Sequence, residues 1–217
     1  MPINRFFTEE LLEKGKTITL AAQEEKHLKV LRVSFKDEIE IVNGKGELGL
    51  GRLTKKFQIT IHEVIKEKPT NRQHILAMSL IRKLDLVIEK TVELGVDALY
   101  LFPAIESEKK GLSENVKMRL QTIAISAMKQ CGRLWLPPIE LFSSLQTVPL
   151  SATVLFGDPT GEPFRPVSND SILFIGPEKG FTEQELHYLQ NKGKGVRLHP
   201  NILRAETAAI AAVCLQA

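Results

Sequence analysis

Three loops rich in glycine and proline follow apolar segments and carry groups that suit a ligand site. They are Phe102-Pro103-Ala104, the run from Gly176 to Phe181 (Gly-Pro-Glu-Lys-Gly-Phe), and His199-Pro200-Asn201-Ile202. Glycine lets the backbone approach a ligand closely, and proline fixes the loop around it. Such loops offer N–H and C=O groups to a neutral planar ring such as adenine. Any one of them is also explained as a plain turn, so only the three together predict a ligand site.

Several other kinds of site are disfavoured. The sequence has no G-x-G-x-x-G or Walker loop, which argues against a dinucleotide or a nucleoside triphosphate. Cys131 and Cys214 are its only cysteines, and neither belongs to a Cys-x-x-Cys motif or lies beside a histidine. We therefore expect no metal site, a reducing cytoplasm, and two buried cysteine side chains.

The composition is ordinary for a globular protein of 217 residues, with 43% hydrophobic and 25% charged residues. Met1–Phe7 lacks the apolar core of a signal peptide, and no segment approaches the ~18 apolar residues of a membrane-spanning helix. We therefore expect no membrane partner. The net charge of +3 permits a nucleic-acid partner without establishing one.

Within residues 1–70, the pattern from Thr17 to about Ile65 is mostly that of β-strands. Asn43-Gly44 supplies the positive φ angles that a tight hairpin turn needs, and a short helix is predicted over Gln23–Leu31. This part is predicted to be a small β-rich barrel or sandwich, followed by a linker over Ile65–Gln73. The apolar residues that alternate with polar ones are Ile39, Ile41, Phe57, Ile59 and Ile61.

From residue 71 onward, strand-like and helical segments alternate, which predicts a mostly parallel α/β sheet. Ligands bind such sheets outside the carboxyl ends of the strands, where the three loops above lie. The predicted strands are Ile75–Ile81, Ala98–Phe102, Thr153–Phe156, Ile172–Ile175 and Gly195–Leu198. The predicted helices are Leu84–Leu94, Val116–Cys131, Thr182–Asn191 (opened by a capping box) and Leu203 to the end.

Motifs in these loops resemble one known family. Ile175-Gly176-Pro177-Glu178-x-Gly180-Phe181, followed by Ile202-Leu203-Arg204-x-Glu206-Thr207-Ala208, is similar to the paired signature of the RsmE family. Its members are 16S ribosomal RNA uridine-N3 methyltransferases of the SPOUT class. Three further segments match in order along nearly the whole chain. They are Arg5-Phe6-Phe7 with His27-Leu28 and Val30-Leu31-Arg32, then Lys90–Val96, then Gln130-Cys131-Gly132-Arg133 with Pro137.

This resemblance implies a fold, a cofactor and partners. The fold would be an N-terminal PUA-like β-barrel domain that binds RNA (residues 1–70) and a C-terminal SPOUT α/β methyltransferase domain with a trefoil knot (71–217). The cofactor would be S-adenosylmethionine. The substrate would be 16S ribosomal RNA, free or in the small ribosomal subunit. A cytoplasmic homodimer is also implied, with each cofactor pocket near the partner subunit.

The resemblance and the loop positions give three groups of site residues. For catalysis, we expect Arg204 to stabilise the uridinate, and Glu206 or Glu178 to accept its proton or to hold Arg204 in place. A local Arg204–Glu206 ion pair is the structural alternative. The RNA-binding residues would be Arg5, Arg32, Arg82, Lys83 and Arg133. The cofactor-binding residues would be Phe102, Pro103, Ile175, Gly176, Pro177, Glu178, Gly180, Leu198, His199, Asn201, Ile202, Leu203 and Thr207.

Some positions depart from the family pattern. Lys179 replaces a glycine, His199 a glycine and Asn201 an arginine, all in the presumed cofactor loops. Lys129 replaces a glutamate, and Lys36 replaces a glycine. Two alternatives stay open: a methyltransferase for another RNA position, such as a ribose 2′-hydroxyl, and a ribosome-binding protein of the same fold with impaired catalysis. The Lys179 and His199 departures support the second.

Overall fold

The computed structural model describes residues 4–35, 37–55, 57–150 and 152–216. Lys36 lies outside these ranges. The chain forms two compact units: one comprises residues up to Pro69 together with Ile125–Leu136, and the other comprises Thr70–Ala124 and Pro137 onward. The sequence predicts a single division of the chain near residue 70. In the structure, residues 125–136 also belong to the first unit.

The first unit is built on one five-stranded sheet of order β1-β3-β4-β5-β2, with β1 parallel to β3 and the other pairs antiparallel. Two register shifts between β4 and β5 bend it. Within the described residues its edge strands β1 and β2 do not pair, so the sheet is an open, curled one. Its elements are β1 (Arg5–Phe7), β2 (Thr17–Thr19), α1 (Ala22–Leu31), β3 (Ile39–Val42), β4 (Glu47–Lys55) and β5 (Gln58–Lys66).

The second unit is built on a six-stranded, wholly parallel sheet of order β11-β9-β10-β6-β7-β8. Its strands are β6 (His74–Ser79), β7 (Ala98–Phe102), β8 (Ile139–Leu141), β9 (Thr153–Pro163), β10 (Ser171–Ile175) and β11 (Lys194–Arg197). Its helices are α2 (Leu84–Glu93), α4 (Glu183–Gln190) and α5 (Ala205–Gln216), with the longer α3 (Glu114–Cys131) running on into the residues of the first unit.

The mixed α/β prediction is confirmed, with boundaries that differ in places. Gly95 and Gly132 take the positive φ angles of +94° and +91° expected just after helices α2 and α3. The predicted linker is wrong at its start, since β5 continues to Lys66. Helix α5 begins at Ala205 rather than Leu203. The prediction of buried cysteines is wrong, because both side chains are exposed.

The central strands are buried because their side chains are apolar on both faces, as parallel sheets covered by helices require. Every residue of β10 is buried, and Phe174 packs against Phe102 of β7 in the same core, with ring centroids 5.9 Å apart. Parallel strands place all their carboxyl ends at one edge. The loops after β10 and β11 therefore meet there, beside the middle of β9.

Glu185 fixes one of these loop regions. It is 1% exposed. Its carboxylate accepts hydrogen bonds from the backbone N–H and hydroxyl of Thr182, at 2.9 and 3.0 Å, and from the Ile105 N–H at 2.9 Å. The capping box thus starts α4 and also holds the loop that follows β7.

Replacement of Glu185 by alanine is expected to lower the free energy of unfolding by about 2–4 kcal/mol, because it removes the capping box and leaves partly buried N–H groups without acceptors. Chemical denaturation followed by circular dichroism measures this loss. Glu183→Ala, at an exposed position of the same first turn, is the matched control. Equal stability of the two variants would contradict this role of Glu185.

Candidate active site

A cavity of about 370 Å³ lies at the carboxyl ends of β10 and β11, beside the middle of β9. This volume falls in the range of small-molecule sites. It is lined by Gly157–Pro159 after the first part of β9, by Ile175–Phe181 after β10, by Val196–His199 and Asn201–Leu203 after β11, and by Leu186, Ala205 and Ala208 of the helices. Two of the three loops predicted from the sequence are therefore brought together.

Ten of the thirteen predicted cofactor residues line this cavity: Ile175, Gly176, Pro177, Glu178, Gly180, Leu198, His199, Asn201, Ile202 and Leu203. Phe102, Pro103 and Thr207 do not. Phe102 is fully buried in the core, while Thr207 is exposed on α5. The Phe102–Ala104 loop is instead tied to Glu185 through Ile105.

One segment of the cavity wall was missed by the sequence analysis. Strand β11 pairs with β9 at Leu155 and Phe156 and then at Glu162 and Pro163, so residues 157–161 leave the ladder as a bulge. Gly157-Asp158-Pro159 follows an apolar strand just as the other ligand loops do. The same glycine and proline signal would have found it.

Two departures from the family pattern are accommodated without blocking the cavity. The Lys179 ammonium forms an ion pair with Glu106 at 3.2 Å. The His199 ring Nδ1 accepts a hydrogen bond from the Asn201 N–H at 3.1 Å and so closes its own turn. In the first unit, Lys129 pairs with Glu24 at 2.6 Å, with both side chains largely buried.

The Glu206 carboxylate, at the start of α5, pairs with Lys83 at 2.6 Å and not with Arg204. Its side chain is 10% exposed. The hydrogen bond from Lys83 lowers the pKa of the Glu206 carboxyl below its usual 4.5, and so do its own backbone N–H and the charges of Lys83 and Arg204. With a lowered pKa, the Glu206 carboxylate accepts a proton less readily. Because it stays ionised, it can hold the Lys83 ammonium in place.

Arg204 stands in the turn before α5 and is exposed. Across the part of the chain that the structure describes, its guanidinium forms no hydrogen bond and no ion pair. A cation at a helix N-terminus opposes the helix dipole, so this position does not favour arginine for stability. Arg204 is therefore free to meet a negative charge beside the cavity.

The remaining predicted RNA-binding residues lie in different environments. Arg5 is 8% exposed and pairs with Glu40 at 2.6 Å, so its burial argues against a phosphate contact. Arg82 is exposed, but two guanidinium nitrogens bond to Glu108 at 2.6 and 2.9 Å, and its N–H donates to Glu178 at 3.3 Å. Arg32 is exposed, and Arg133 is partly buried.

The Lys83–Glu206 pair gives a pH prediction. Since the folded-state pKa of Glu206 is lowered, its stabilisation is present above the usual 4.5 and is lost as pH falls through the lowered value. Glu206→Gln is expected to cost about 1 kcal/mol at neutral pH, because the Lys83 side chain is 55% exposed. The difference from wild type should vanish in acid. Urea titrations from pH 7 to 3 test this, and a difference that grew on acidification would contradict it.

Comparison with known proteins agrees with this geometry. A family model described as an RNA methyltransferase domain matches residues 66–216. The chain resembles the crystal structure of a ribosomal RNA small subunit methyltransferase E from Neisseria gonorrhoeae bound to S-adenosylmethionine. The identity is 30%, the TM-score is 0.81, and the match covers 97% of this chain and 94% of that one.

The chain belongs to the ribosomal RNA small subunit methyltransferase E family. Relatives of the same name include one from Rickettsia conorii, 28% identical over 98% of this chain and 94% of that protein. Another, from Aquifex aeolicus, is 28% identical over 97% of each chain. Family membership thus covers the whole chain, including the first unit.

The described residues lack two other kinds of feature. No group of three or more His, Cys, Asp and Glu residues there is placed to hold a metal ion. None of the helices in the same part of the chain is long and apolar enough to cross a membrane.

Proposed function

We propose that this chain transfers the methyl group of S-adenosylmethionine to N3 of a uridine in 16S ribosomal RNA, free or in the small subunit, in the cytoplasm. The observation that carries the proposal is the cavity at the carboxyl ends of β10 and β11, built from both motifs of the family signature. The Neisseria relative binds S-adenosylmethionine, and its likeness extends over nearly the whole chain.

The residues present suit this cofactor. Backbone groups of the loops 176–181 and 197–203 would hold the adenosine part, and the apolar Leu186, Leu203 and Ala208 would cover it. An alanine-type side chain at Gly176 would stand 3.2 Å from the Phe181 N, so glycine keeps this loop tight. When bound, the cofactor supplies an electrophilic methyl group on its sulfonium.

The chain's own residues would prepare the uridine for that methyl group. Arg204 would stabilise the negative charge that develops as N3 loses its proton. Glu178 lines the cavity and is exposed, so it would be a better proton acceptor than Glu206. Glu206 would instead position Lys83.

In the first unit, the exposed side of α1 would contact RNA. Lys26, Lys29 and Arg32 are exposed there, and none of the three forms an ion pair with a described carboxylate. Beyond them Phe35 is 61% exposed and available for stacking on a base. This surface takes the place of Arg5 in the proposed PUA-like RNA-binding domain.

A homodimer is also proposed, from the apolar character of α5. Eight of its twelve residues are Ala, Ile, Val or Leu, yet its buried residues are only Ala205, Glu206, Ala209 and Ala212. A helix that is apolar on all sides is normally covered on all sides. Leu215 is 41% exposed, and Val213 and Ile210 are partly buried.

Leu215→Glu is expected to convert the dimer to a monomer, because it buries a carboxylate in that face. Light scattering coupled to size exclusion measures the mass. Gln190→Glu, at an exposed position of α4, is the control. A monomeric wild-type protein would contradict the dimer.

The trefoil knot of the SPOUT class is proposed too. Strand β11 lies beyond β9 at the sheet edge, while α5, which follows it, packs beside β6 and β10 near the centre. The chain must therefore return across the loops after β9 and β10. An experimental structure whose backbone trace straightens completely when both ends are pulled apart would contradict the proposed knot.

The enzyme is tested by incubating the purified protein with S-adenosylmethionine carrying a labelled methyl group and with small ribosomal subunits lacking the modification. Label in 3-methyluridine of the digested RNA is the expected result. Label in a 2′-O-methylribose would favour the ribose methyltransferase. Binding of subunits without cofactor binding would favour the catalytically impaired protein.

A further inference from the structure

The cavity contains a carboxylate with no assigned task, that of Asp158. It belongs to the bulge of residues 157–161, where β9 leaves its ladder with β11. One carboxylate oxygen, Oδ1, accepts hydrogen bonds from the Thr160 N–H at 2.8 Å and from the Thr160 hydroxyl at 2.7 Å. The side chain is thus fixed before any ligand arrives, since Asp-type turns of this kind hold both backbone and carboxylate.

The opposite strand makes room for the second oxygen. A Cβ atom at Gly195 would lie 2.9 Å from Asp158 Oδ2, and a Cβ atom at Gly161 would lie 2.6 Å from the Gly195 carbonyl oxygen. Glycine at both positions therefore lets the bulge fold in against β11. The result is a carboxylate that is partly buried in the cavity wall.

No ion pair among the described residues neutralises its charge, although Arg197 and Lys179 also line the cavity. Over the described ranges of the chain, no lysine, arginine or histidine forms an ion pair with Asp158. The other carboxylate that lines the cavity, Glu178, is exposed, accepts the Arg82 N–H and lies near the Arg82 charge. A partly buried negative charge without a partner favours a cation beside it, because screening there is weaker than in water.

We propose that Asp158 makes the cavity select the cationic cofactor over its neutral product. This inference rests on the proposed function. S-adenosylmethionine and S-adenosylhomocysteine share the adenosine, the amino group and the carboxylate, and they differ in the methyl group and the sulfonium charge. A fixed carboxylate in the wall of this cavity stabilises the sulfonium form and gives no such advantage to the thioether, which favours product release.

Isothermal calorimetry of both compounds with wild type and Asp158→Asn tests the proposal. The amide keeps the size and the Oδ1 acceptor while it removes the charge. We expect the variant to bind S-adenosylmethionine about tenfold more weakly and S-adenosylhomocysteine less than about threefold more weakly. Glu162→Gln, which removes a carboxylate charge at an exposed position of the same strand outside the cavity lining, should retain the wild-type ratio of the two affinities. Thermal melting checks that each variant is folded.

Equal losses for both compounds, or no loss for either, would overturn the assignment of Asp158. If Asp158→Asn unfolds, Asp158→Ser supplies the same comparison of ratios. Failure of the wild-type protein to bind either compound would instead refute the proposed function, so the two failures are distinct.

Discussion

Replacement of Arg204 by alanine is expected to lower the rate of methyl transfer by about a hundredfold to a thousandfold, the cost typical of losing one group that stabilises a developing negative charge. Affinity for S-adenosylmethionine should change little, since Arg204 is not among the residues that line the cavity. The guanidinium is exposed and forms no ion pair within the described residues. It lies at the N-terminus of α5, where the helix dipole disfavours a cation.

Single-turnover assays with small ribosomal subunits measure the rate of methyl transfer, and calorimetry measures the affinity for S-adenosylmethionine. Arg204→Lys, which keeps the charge but not the planar fork, should recover part of the rate. Methyl transfer by the alanine variant at the wild-type rate would remove Arg204 from the mechanism. A matched loss of cofactor affinity would make it a binding residue instead.

Ala208→Phe is expected to abolish measurable cofactor binding and, with it, activity. Ala208 lines the cavity from α5, and a phenyl ring in its place would fill part of the roughly 370 Å³ available. The helix itself should tolerate the change, because phenylalanine is only modestly poorer than alanine as a helix former. Calorimetry with S-adenosylmethionine should show an affinity at least about a hundredfold weaker, in line with a ligand that no longer fits.

Thr207→Phe is the matched control, one residue earlier on the same helix. Thr207 was predicted to bind the cofactor, but it is exposed and does not line the cavity. Its variant should therefore bind S-adenosylmethionine as wild type does. Strong binding by Ala208→Phe would mean that the cofactor lies elsewhere, and loss of binding by Thr207→Phe alone would restore the original prediction.

The sequence predicted those parts of the fold that local chemistry controls. The capping box at Thr182 and Glu185 starts α4, and Gly95 ends α2 with a positive φ angle, as their residue types demand. The two loops of the family signature reach the same cavity because strands that run parallel end at the same edge.

The remaining features depend on pairing between distant segments. Nothing in the local pattern of residues 153–163 shows that β11 pairs with β9 in two separate stretches, so the bulged pairing could not be predicted, although the glycine and proline of residues 157–159 do mark a loop. The burial of Arg5 follows from its register opposite Glu40, and the partner of Glu206 is Lys83, which is 123 residues away. Spacing along the chain favoured the nearer Arg204 as the partner of Glu206.

The central claim is tested most directly by primer extension on 16S ribosomal RNA from cells with and without this gene. A methyl group on uridine N3 blocks base pairing, so reverse transcriptase should stop at one uridine in wild-type RNA. The stop should disappear in the deletion strain and return with the wild-type gene but not with Arg204→Ala. A stop that persists in the deletion strain, or a deletion that removes only a ribose methyl group, would contradict the account.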